Sequence, residues 1–191
     1  MKKIALDLDG VVFDSENLFR VYAEIYDTDV MKKDSTVDSS KRKFQDVFDW
    51  PVEVCDSLLG QVMGDVASNA NVMPGADMVI NKLKDKYEFI IVTSRNDYEM
   101  SKSKDRLHAL VLDNFKIFSN EHYKVDRYLK EKVDYIIDDD TSICLSAANN
   151  NDFKILFFKN NTSNAIDHPN VVNVRNWGEI YKYFILKEGG K

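Results

Sequence analysis

The chain has 191 residues, of which 44% are hydrophobic and 12% aromatic, so it can bury a core without disulfides or a structural metal. Its 32 acidic and 26 basic residues give a formal net charge of −6, which disfavours duplex nucleic acid as a partner and leaves small phosphorylated ligands open. Two cysteines without close spacing indicate reduced thiols, and no apolar run approaches a membrane span, so we expect a cytoplasmic protein with no membrane partner.

Apolar runs and helical periodicities alternate along most of the chain, which predicts an α/β fold with a mainly parallel sheet flanked by helices. The candidate strands are residues 4–8, 89–92, 116–119, 135–137, 153–158 and, at an edge, 171–174. One apolar helical face follows Pro74-Gly75 and comprises Ala76, Val79, Ile80, Leu83 and Tyr87. A last helix is expected after Asn176, a residue type that favours the N-cap position.

Residues 15–73 interrupt this alternation. Helical patterns that include Leu18, Tyr22 and Ile25 in one part and residues 54–62 in another flank a polar stretch, 34–43, which is typical of a loop. We therefore expect residues 1–14 and 74–191 to form an α/β core domain. Residues 15–73 would form a small helical cap over the ends of the strands.

The segment Asp7-Leu8-Asp9-Gly10-Val11 follows the first predicted strand. Carboxylates spaced by two leave an extended chain on the same face, and the carboxyl ends of parallel strands form the ligand crevice of such sheets. Gly10 permits the sharp turn that follows. Alone, the segment is equally typical of an ordinary polar strand end.

Further polar residues are expected at the same edge of the predicted sheet. Thr93 and Ser94 follow the second strand, Asp138, Asp139 and Asp140 follow the fourth, and Lys124 begins the helix that leads into the fourth. Each is individually typical of a helix cap, an acidic turn or a surface lysine. Together they bring acids, hydroxyls and a cation to one place. Lys116 and Lys130 are the alternatives to Lys124, although neither begins a helix.

Carboxylates from two strand ends share a dry crevice only if some protonate or a cation binds. Because an all-oxygen set of ligands suits Mg²⁺, the sequence predicts Mg²⁺ as the cofactor. The histidines His108, His122 and His168 lack the spacing of metal ligands and are expected on the surface or in loops.

The four segments resemble, in order and position, the motifs of the haloacid dehalogenase (HAD) superfamily of aspartyl-phosphate phosphohydrolases. They are Asp7-Leu8-Asp9-Gly10-Val11, Val92-Thr93-Ser94-Arg95, Lys124 and Ile137-Asp138-Asp139. The resemblance implies a Rossmann-like core with a C1-type cap. The second and fourth segments are similar to those of the 5'(3')-deoxyribonucleotidase-like branch, which continues from Thr-Ser into Pro where Arg95-Asn96 stands here.

The resemblance also implies catalytic roles for the matching residues. Asp7 would be the nucleophile that forms an aspartyl-phosphate. Asp9 would protonate the leaving oxygen and then accept a proton from the hydrolytic water. Thr93 and Lys124 would hold the phosphoryl oxygens, with Ser94 beside them.

The metal site implied by the resemblance uses the Asp7 carboxylate, the Asp9 main-chain carbonyl and Asp138. Asp139 would be a second ligand through water or an orienter of Lys124, so the choice of ligand in the acidic run stays open. Asp140 is expected to cap the helix that opens at the next residue.

Substrate choice is expected to depend on the predicted cap and on residues beside the first two motifs. Arg95 would either bind a second phosphate or face solvent. Most aromatic rings of the cap should pack in its own core, but one or two would stack on a base. The candidates are Phe13, Phe44, Phe48 and Trp50.

These features predict a Mg²⁺-dependent phosphomonoesterase that acts on a small phosphorylated substrate, with nucleoside monophosphates favoured. A HAD phosphatase or phosphomutase of sugar phosphates or other small phosphoesters is the alternative. A signalling receiver module would be shorter and without a cap, and a binding protein on a decayed scaffold would lack catalytic residues. The sequence leaves a homodimer open.

Overall fold

A computed structural model describes residues 1–41, 43–149, 153–159 and 164–188 of the protein, and a six-stranded sheet forms its centre. The strands are β1 (Lys2–Leu6), β2 (Tyr87–Val92), β3 (Lys116–Phe118), β4 (Tyr135–Asp138), β5 (Lys154–Phe158) and β6 (Val171–Val174). All strand pairs are parallel, in the order β3-β2-β1-β4-β5-β6. The predicted α/β fold and the edge position of the last strand are confirmed.

Helices connect these strands within the described residues. They are α1 (Ser15–Tyr26), α2 (Phe44–Val47), α3 (Val52–Asn69), α4 (Ala76–Leu83), α5 (Asp97–Ala109), α6 (Lys124–Glu131), α7 (Thr141–Ala148) and α8 (Trp177–Tyr183). Short π-helical turns extend α1 and α8, at Asp27–Met31 and Phe184–Glu188, and a 3₁₀ turn at Leu112–Asn114 precedes β3. In this part of the chain no helix combines the length and apolar character needed to cross a bilayer.

Several local expectations differ from the structure. β1 ends at Leu6, two residues early, because the chain already turns toward Gly10, whose φ of +79° lies in the left-handed region. Tyr87 matched the face of α4 but begins β2, since α4 ends four residues before it. Ile25 lies on a predicted apolar face, yet it is exposed.

The centre of the sheet fixes the residues that follow β1 and β2. Leu6 pairs with Ile91 on one side and Ile137 on the other, and all three are buried because helices cover both faces. The ladder continues beyond the strand end, where the amide of Asp7 donates to the carbonyl of Ile137 at 3.0 Å. The amide of Thr93 likewise donates to the carbonyl of Phe118 at 2.9 Å.

Residues 15–73 carry α1, α2 and α3, all inserted between β1 and α4. The chain enters and leaves this segment through adjacent backbone. The amide of Asp14 donates to the carbonyl of Asn71, and the amide of Met73 donates to the carbonyl of Val12, both at 2.8 Å. α3 packs against α1 and also against α5 of the sheet layer. The inserted segment is therefore attached to the rest of the protein in two ways. The backbone at its two ends is hydrogen-bonded together, and α3 packs against α5.

The C-terminal helix α8 is connected to the turn after β1. Asn176 caps it as predicted, because its side-chain oxygen accepts from the amide of Glu179 at 3.0 Å. Trp177 is completely buried, and its indole N–H donates to the carbonyl of Val11 at 2.9 Å. Trp177 thus supports the backbone that leads out of the first motif.

We expect Trp177→Ala to lower the free energy of unfolding by about 3–5 kcal/mol, because it removes a large buried side chain and leaves the Val11 carbonyl without its donor. Urea denaturation followed by circular dichroism measures the change. Lys182→Ala, an exposed position of the same helix, is the control and should change stability by less than about 0.5 kcal/mol. Equal effects of the two substitutions would contradict this account of α8.

Candidate active site

A cavity of about 290 Å³ opens at the carboxyl ends of the central strands. Its walls are formed by Asp7, Asp9, Lys43, Ser94, Glu121, His122, Lys124, Asp139, Asp140, Ser142 and Ile143. Except for Lys43, which precedes α2, these residues lie after β1, β2 and β4 or beside the first turns of α6 and α7. The sequence prediction that the polar motif residues converge at one sheet edge agrees with this arrangement.

Lys124 joins a carboxylate that follows β1 to the carboxylate that ends β4. Its ammonium lies 2.9 Å from Asp7 Oδ1 and 2.8 Å from Asp138 Oδ2. Burial lowers the pKa of Lys124, but the charges and hydrogen bonds of the two aspartates outweigh this effect and raise it, so the side chain is protonated. The first residue of α6 is therefore the cation that neutralises the centre of the site.

The charge at this centre is incompletely compensated. Burial raises the pKa of Asp7, the positive charge of Lys124 lowers it, and the negative charges of Asp138 and Asp9 raise it again. The result is a pKa of about 7. A further cation would favour the ionised form of this carboxyl. The surroundings of Asp7 thus suit a positively charged ligand.

Three carboxylates are arranged so that they could hold such a cation. One oxygen each from Asp7, Asp138 and Asp139 lies within 4.8 Å of the other two. Because Mg²⁺ binds oxygens at ~2.0–2.1 Å in an octahedron, its ligands lie ~3–4 Å apart, which small side-chain shifts would achieve. The donor set is all oxygen and negatively charged, as Mg²⁺ prefers. The residues present therefore fit the predicted metal.

Asp9 lies on the cavity wall but has a different partner. Arg95 donates from Nε to Asp9 Oδ2 at 2.8 Å and from Nη2 to Oδ1 at 2.6 Å, and Ser15 Oγ also bonds Oδ1. Burial raises the pKa of Asp9, but the hydrogen bonds and charge of Arg95 hold it below its usual value. Neither role predicted for Arg95 matches, because its guanidinium is buried against Asp9 and faces neither solvent nor the cavity.

The two hydroxyls after β2 differ in position. Ser94 is exposed on the cavity wall. Thr93 is completely buried, does not line the cavity, and accepts the amide of Arg95 on Oγ1 at 3.3 Å. In this conformation Ser94, rather than Thr93, offers its side chain to a ligand. Asp140 caps α7, as predicted, by accepting from the amide of Ser142 at 2.7 Å.

The four aromatic candidates for base stacking do not line the cavity. Phe44, Phe48 and Trp50 are buried in one cluster, in which the rings of Phe48 and Trp50 stack at 4.5 Å between centroids. Phe13 is buried against Arg95, and its ring centroid lies 5.1 Å from the guanidinium carbon. Phe44, Phe48 and Trp50 thus pack among the inserted helices and Phe13 packs against Arg95, which corrects the expectation that one or two of these rings face the crevice.

Other residues of the site escaped the sequence analysis. Lys43 belongs to the inserted segment and lines the cavity, with its ammonium 3.7 Å from Asp140 Oδ2. Ser15 contacts Asp9, and Tyr128 O–H lies 3.4 Å from Asp138 Oδ2. His122 also lines the cavity, and its only sequence signal is its position two residues before Lys124.

No family model matches the sequence, and no curated protein matches it significantly. Solved structures do match the fold. A HAD-like family hydrolase from Streptococcus pneumoniae superposes with a TM-score of 0.66 at 17% identity, over 96% of this chain and 98% of that one. The HAD-hydrolase YfnB of Bacillus subtilis, bound to magnesium, gives 0.61 at 16% identity, over 95% and 97%. CbbY of Rhodobacter sphaeroides, in complex with phosphate, gives 0.61 at 13% identity, over 94% and 96%.

These similarities define the class of fold. The parallel six-stranded sheet with flanking helices is the Rossmann-like fold of HAD-superfamily hydrolases. At these identities the likeness concerns the fold alone. The resemblance to the 5'(3')-deoxyribonucleotidase-like branch and the C1-type cap stay predictions.

We expect Asp138→Asn and Asp139→Asn each to weaken Mg²⁺ binding by at least about tenfold, because each removes a negative charge from the carboxylate cluster. Isothermal titration calorimetry with Mg²⁺ alone measures this without reference to activity. Asp140→Asn is the matched control, since Asn caps a helix as well as Asp and this residue lies outside the cluster. Equal weakening by all three substitutions would indicate a general charge effect instead of a site.

Proposed function

We propose that the protein is a Mg²⁺-dependent phosphomonoesterase that works through an aspartyl-phosphate on Asp7. The observation that carries this proposal is the buried group of Asp7, Lys124, Asp138 and Asp139 beside Asp9 at the cavity. Phosphoryl transfer requires mainly positioning and compensation of charge, which such a group supplies. The phosphate in CbbY and the magnesium in YfnB, which share the fold, support the same assignment.

In the first half-reaction, a carboxylate oxygen of Asp7 attacks phosphorus, and the bond from phosphorus to the ester oxygen breaks. Asp9, which is ionised beside Arg95 because its pKa is lowered, first takes up a proton from solvent and then donates it to that leaving oxygen, which departs as an alcohol. Lys124 is placed to compensate charge on the transferring phosphoryl group, because its ammonium already contacts Asp7. Ser94 can donate its hydroxyl to a phosphoryl oxygen from the wall, where the other hydroxyl, that of Ser142, already donates to Asp140.

In the second half-reaction, water attacks phosphorus of the aspartyl-phosphate while Asp9 accepts its proton. Inorganic phosphate leaves and the carboxylate of Asp7 is restored. The metal would be held by the carboxylates of Asp7, Asp138 and Asp139 and the main-chain carbonyl of Asp9. When bound, it supplies positive charge that favours ionised Asp7 and neutralises phosphoryl oxygens.

The walls of the cavity favour a small, polar phosphoester. Among the described residues that line it, Ile143 is the single apolar one, no phenylalanine, tyrosine or tryptophan is present, and the one ring is the imidazole of His122. A nucleobase gains ~1–3 kcal/mol from an aromatic platform, and this wall offers only the small, exposed imidazole of His122 for that purpose. We therefore place sugar phosphates and similar polar phosphoesters first. Nucleoside monophosphates are the second candidate, favoured by the sequences Thr93-Ser94 and Ile137-Asp138-Asp139.

We expect Asp7→Asn to lower phosphate release by at least about 10³-fold, because the amide cannot form the covalent intermediate. The assay presents sugar phosphates, deoxy- and ribonucleoside 5'- and 3'-monophosphates and phenyl phosphate, with Mg²⁺ and with a chelator. The wild type should hydrolyse at least one member only when Mg²⁺ is present. Hydrolysis that survives Asp7→Asn would refute the mechanism, and preference for nucleotides would reverse the order of the two substrate classes.

Trp50→Phe should lower stability without altering substrate preference. The substitution removes a hydrogen bond from the indole N–H to Asp27 Oδ1, 2.7 Å long and buried, which should cost about 1–3 kcal/mol. Urea unfolding measures that loss, and the ratio of kcat/KM for a sugar phosphate and a nucleotide measures preference. Lys43→Met, on the cavity wall, is the contrasting variant and should change the ratio. A change of the ratio in Trp50→Phe alone would place this ring at the substrate.

A further inference from the structure

Unlike Lys43 and Lys124, Arg95 does not reach the cavity. It follows β2, its side chain is 2% exposed, and it is absent from the residues that line the cavity. A substrate in the cavity therefore meets Asp9 before it could meet Arg95. Any effect of Arg95 on the reaction has to pass through a neighbouring side chain.

Arg95 and Asp9 form a bidentate ion pair. Nε donates to Oδ2 at 2.8 Å and Nη2 to Oδ1 at 2.6 Å, so the planar guanidinium fixes the plane of the carboxylate as well as its position. Ser15 contacts Oδ1 from α1. The Asp9 side chain nevertheless stays 35% exposed, because its free side faces the cavity.

Arg95 is itself fixed by the first turns of α5. Its Nη1 donates to Ser103 Oγ, which in turn donates to the carbonyl of Glu99 at 2.7 Å. The ring of Phe13 lies 5.1 Å from the guanidinium carbon and closes its remaining face. The guanidinium is thus held by α5 on one side while it holds Asp9 on the other.

We infer that Arg95 is a positioning residue that acts through Asp9, holding its carboxylate in the orientation from which it exchanges a proton with the leaving oxygen and the water. The inference rests on the proposed function, in which Asp9 is the general acid and base. Without the guanidinium fork, the Asp9 carboxylate keeps the bond from Ser15 as its one side-chain hydrogen bond to the described residues, and it can rotate about its side-chain torsions. Misplacement by ~1 Å costs a catalytic group about 10²-fold in rate.

The test is a double-mutant cycle between Arg95 and Asp9, with phenyl phosphate and saturating Mg²⁺ as the probe, since phenolate is basic enough to need protonation. Arg95→Met should lower kcat by about 10²-fold and change KM by less than about threefold. Arg95→Lys, which keeps the charge and one donor, should recover part of the loss. In an Asp9→Asn background, Arg95→Met should lower kcat by no more than about threefold, because the group it positions is already gone.

A matched control separates this role from folding. Arg106→Met removes a second guanidinium that lies 5.8 Å from the Phe13 ring and bonds the carbonyl of Ala70, but it has no contact with Asp9. It should leave kcat within about threefold. If Arg95→Met alone unfolds, Arg95→Lys takes its place in both backgrounds, because it keeps the buried charge while it removes the bidentate contact with Asp9.

The outcomes distinguish the inference from the proposed function. Equal losses from Arg95→Met in the wild-type and Asp9→Asn backgrounds, or a rise in KM above about tenfold with kcat retained, would overturn the positioning role alone. Absence of hydrolysis by the wild type across the whole panel would overturn the proposed function and the role together. A loss confined to the background that contains Asp9 supports both.

Discussion

The negative charge gathered at the carboxyl ends of β1 and β4 is the constraint on which the rest of the site depends. Carboxylates away from bulk water stay ionised only beside cations. The fold provides two such cations from separate elements, Lys124 at the start of α6 and Arg95 after β2. The central position of β1, between β2 and β4, is what allows both of them to reach the first motif.

The sequence predicted this convergence because it needed only local information. Apolar strands with polar residues at their carboxyl ends meet at one edge of a parallel sheet whatever the order of the strands. Asp7, Lys124 and Asp139 therefore lie where the motifs suggested. The exact end of β1 was harder to predict, because Leu8 continues the apolar pattern although the chain has already begun to turn at Gly10.

Long-range partners could not be predicted in the same way. Arg95 and Asp9 are 86 positions apart, and an arginine in a loop before a helix reaches solvent as easily as a carboxylate. Its burial is decided by Ser103 and Phe13, neither of which carries a sequence signal for that contact. The prediction that aromatic rings of the inserted segment line the crevice was wrong for a related reason. Hydrophobicity alone does not show whether a ring such as Trp50 packs in a small core or lines a crevice.

The hydrogen bonds that hold the two ends of the inserted segment together have a consequence for how this chain can vary. The amides of Asp14 and Met73 bond the carbonyls of Asn71 and Val12, so the insertion begins and ends at neighbouring points. The backbone of the segment therefore forms one loop whose ends are held together. Doubling the length of such a loop raises the entropic cost of closing it by only about 0.6 kcal/mol. The connections within the inserted segment can therefore vary in length at small entropic cost, whereas α3, which packs against α5, and Ser15, which bonds Asp9, are constrained by their contacts.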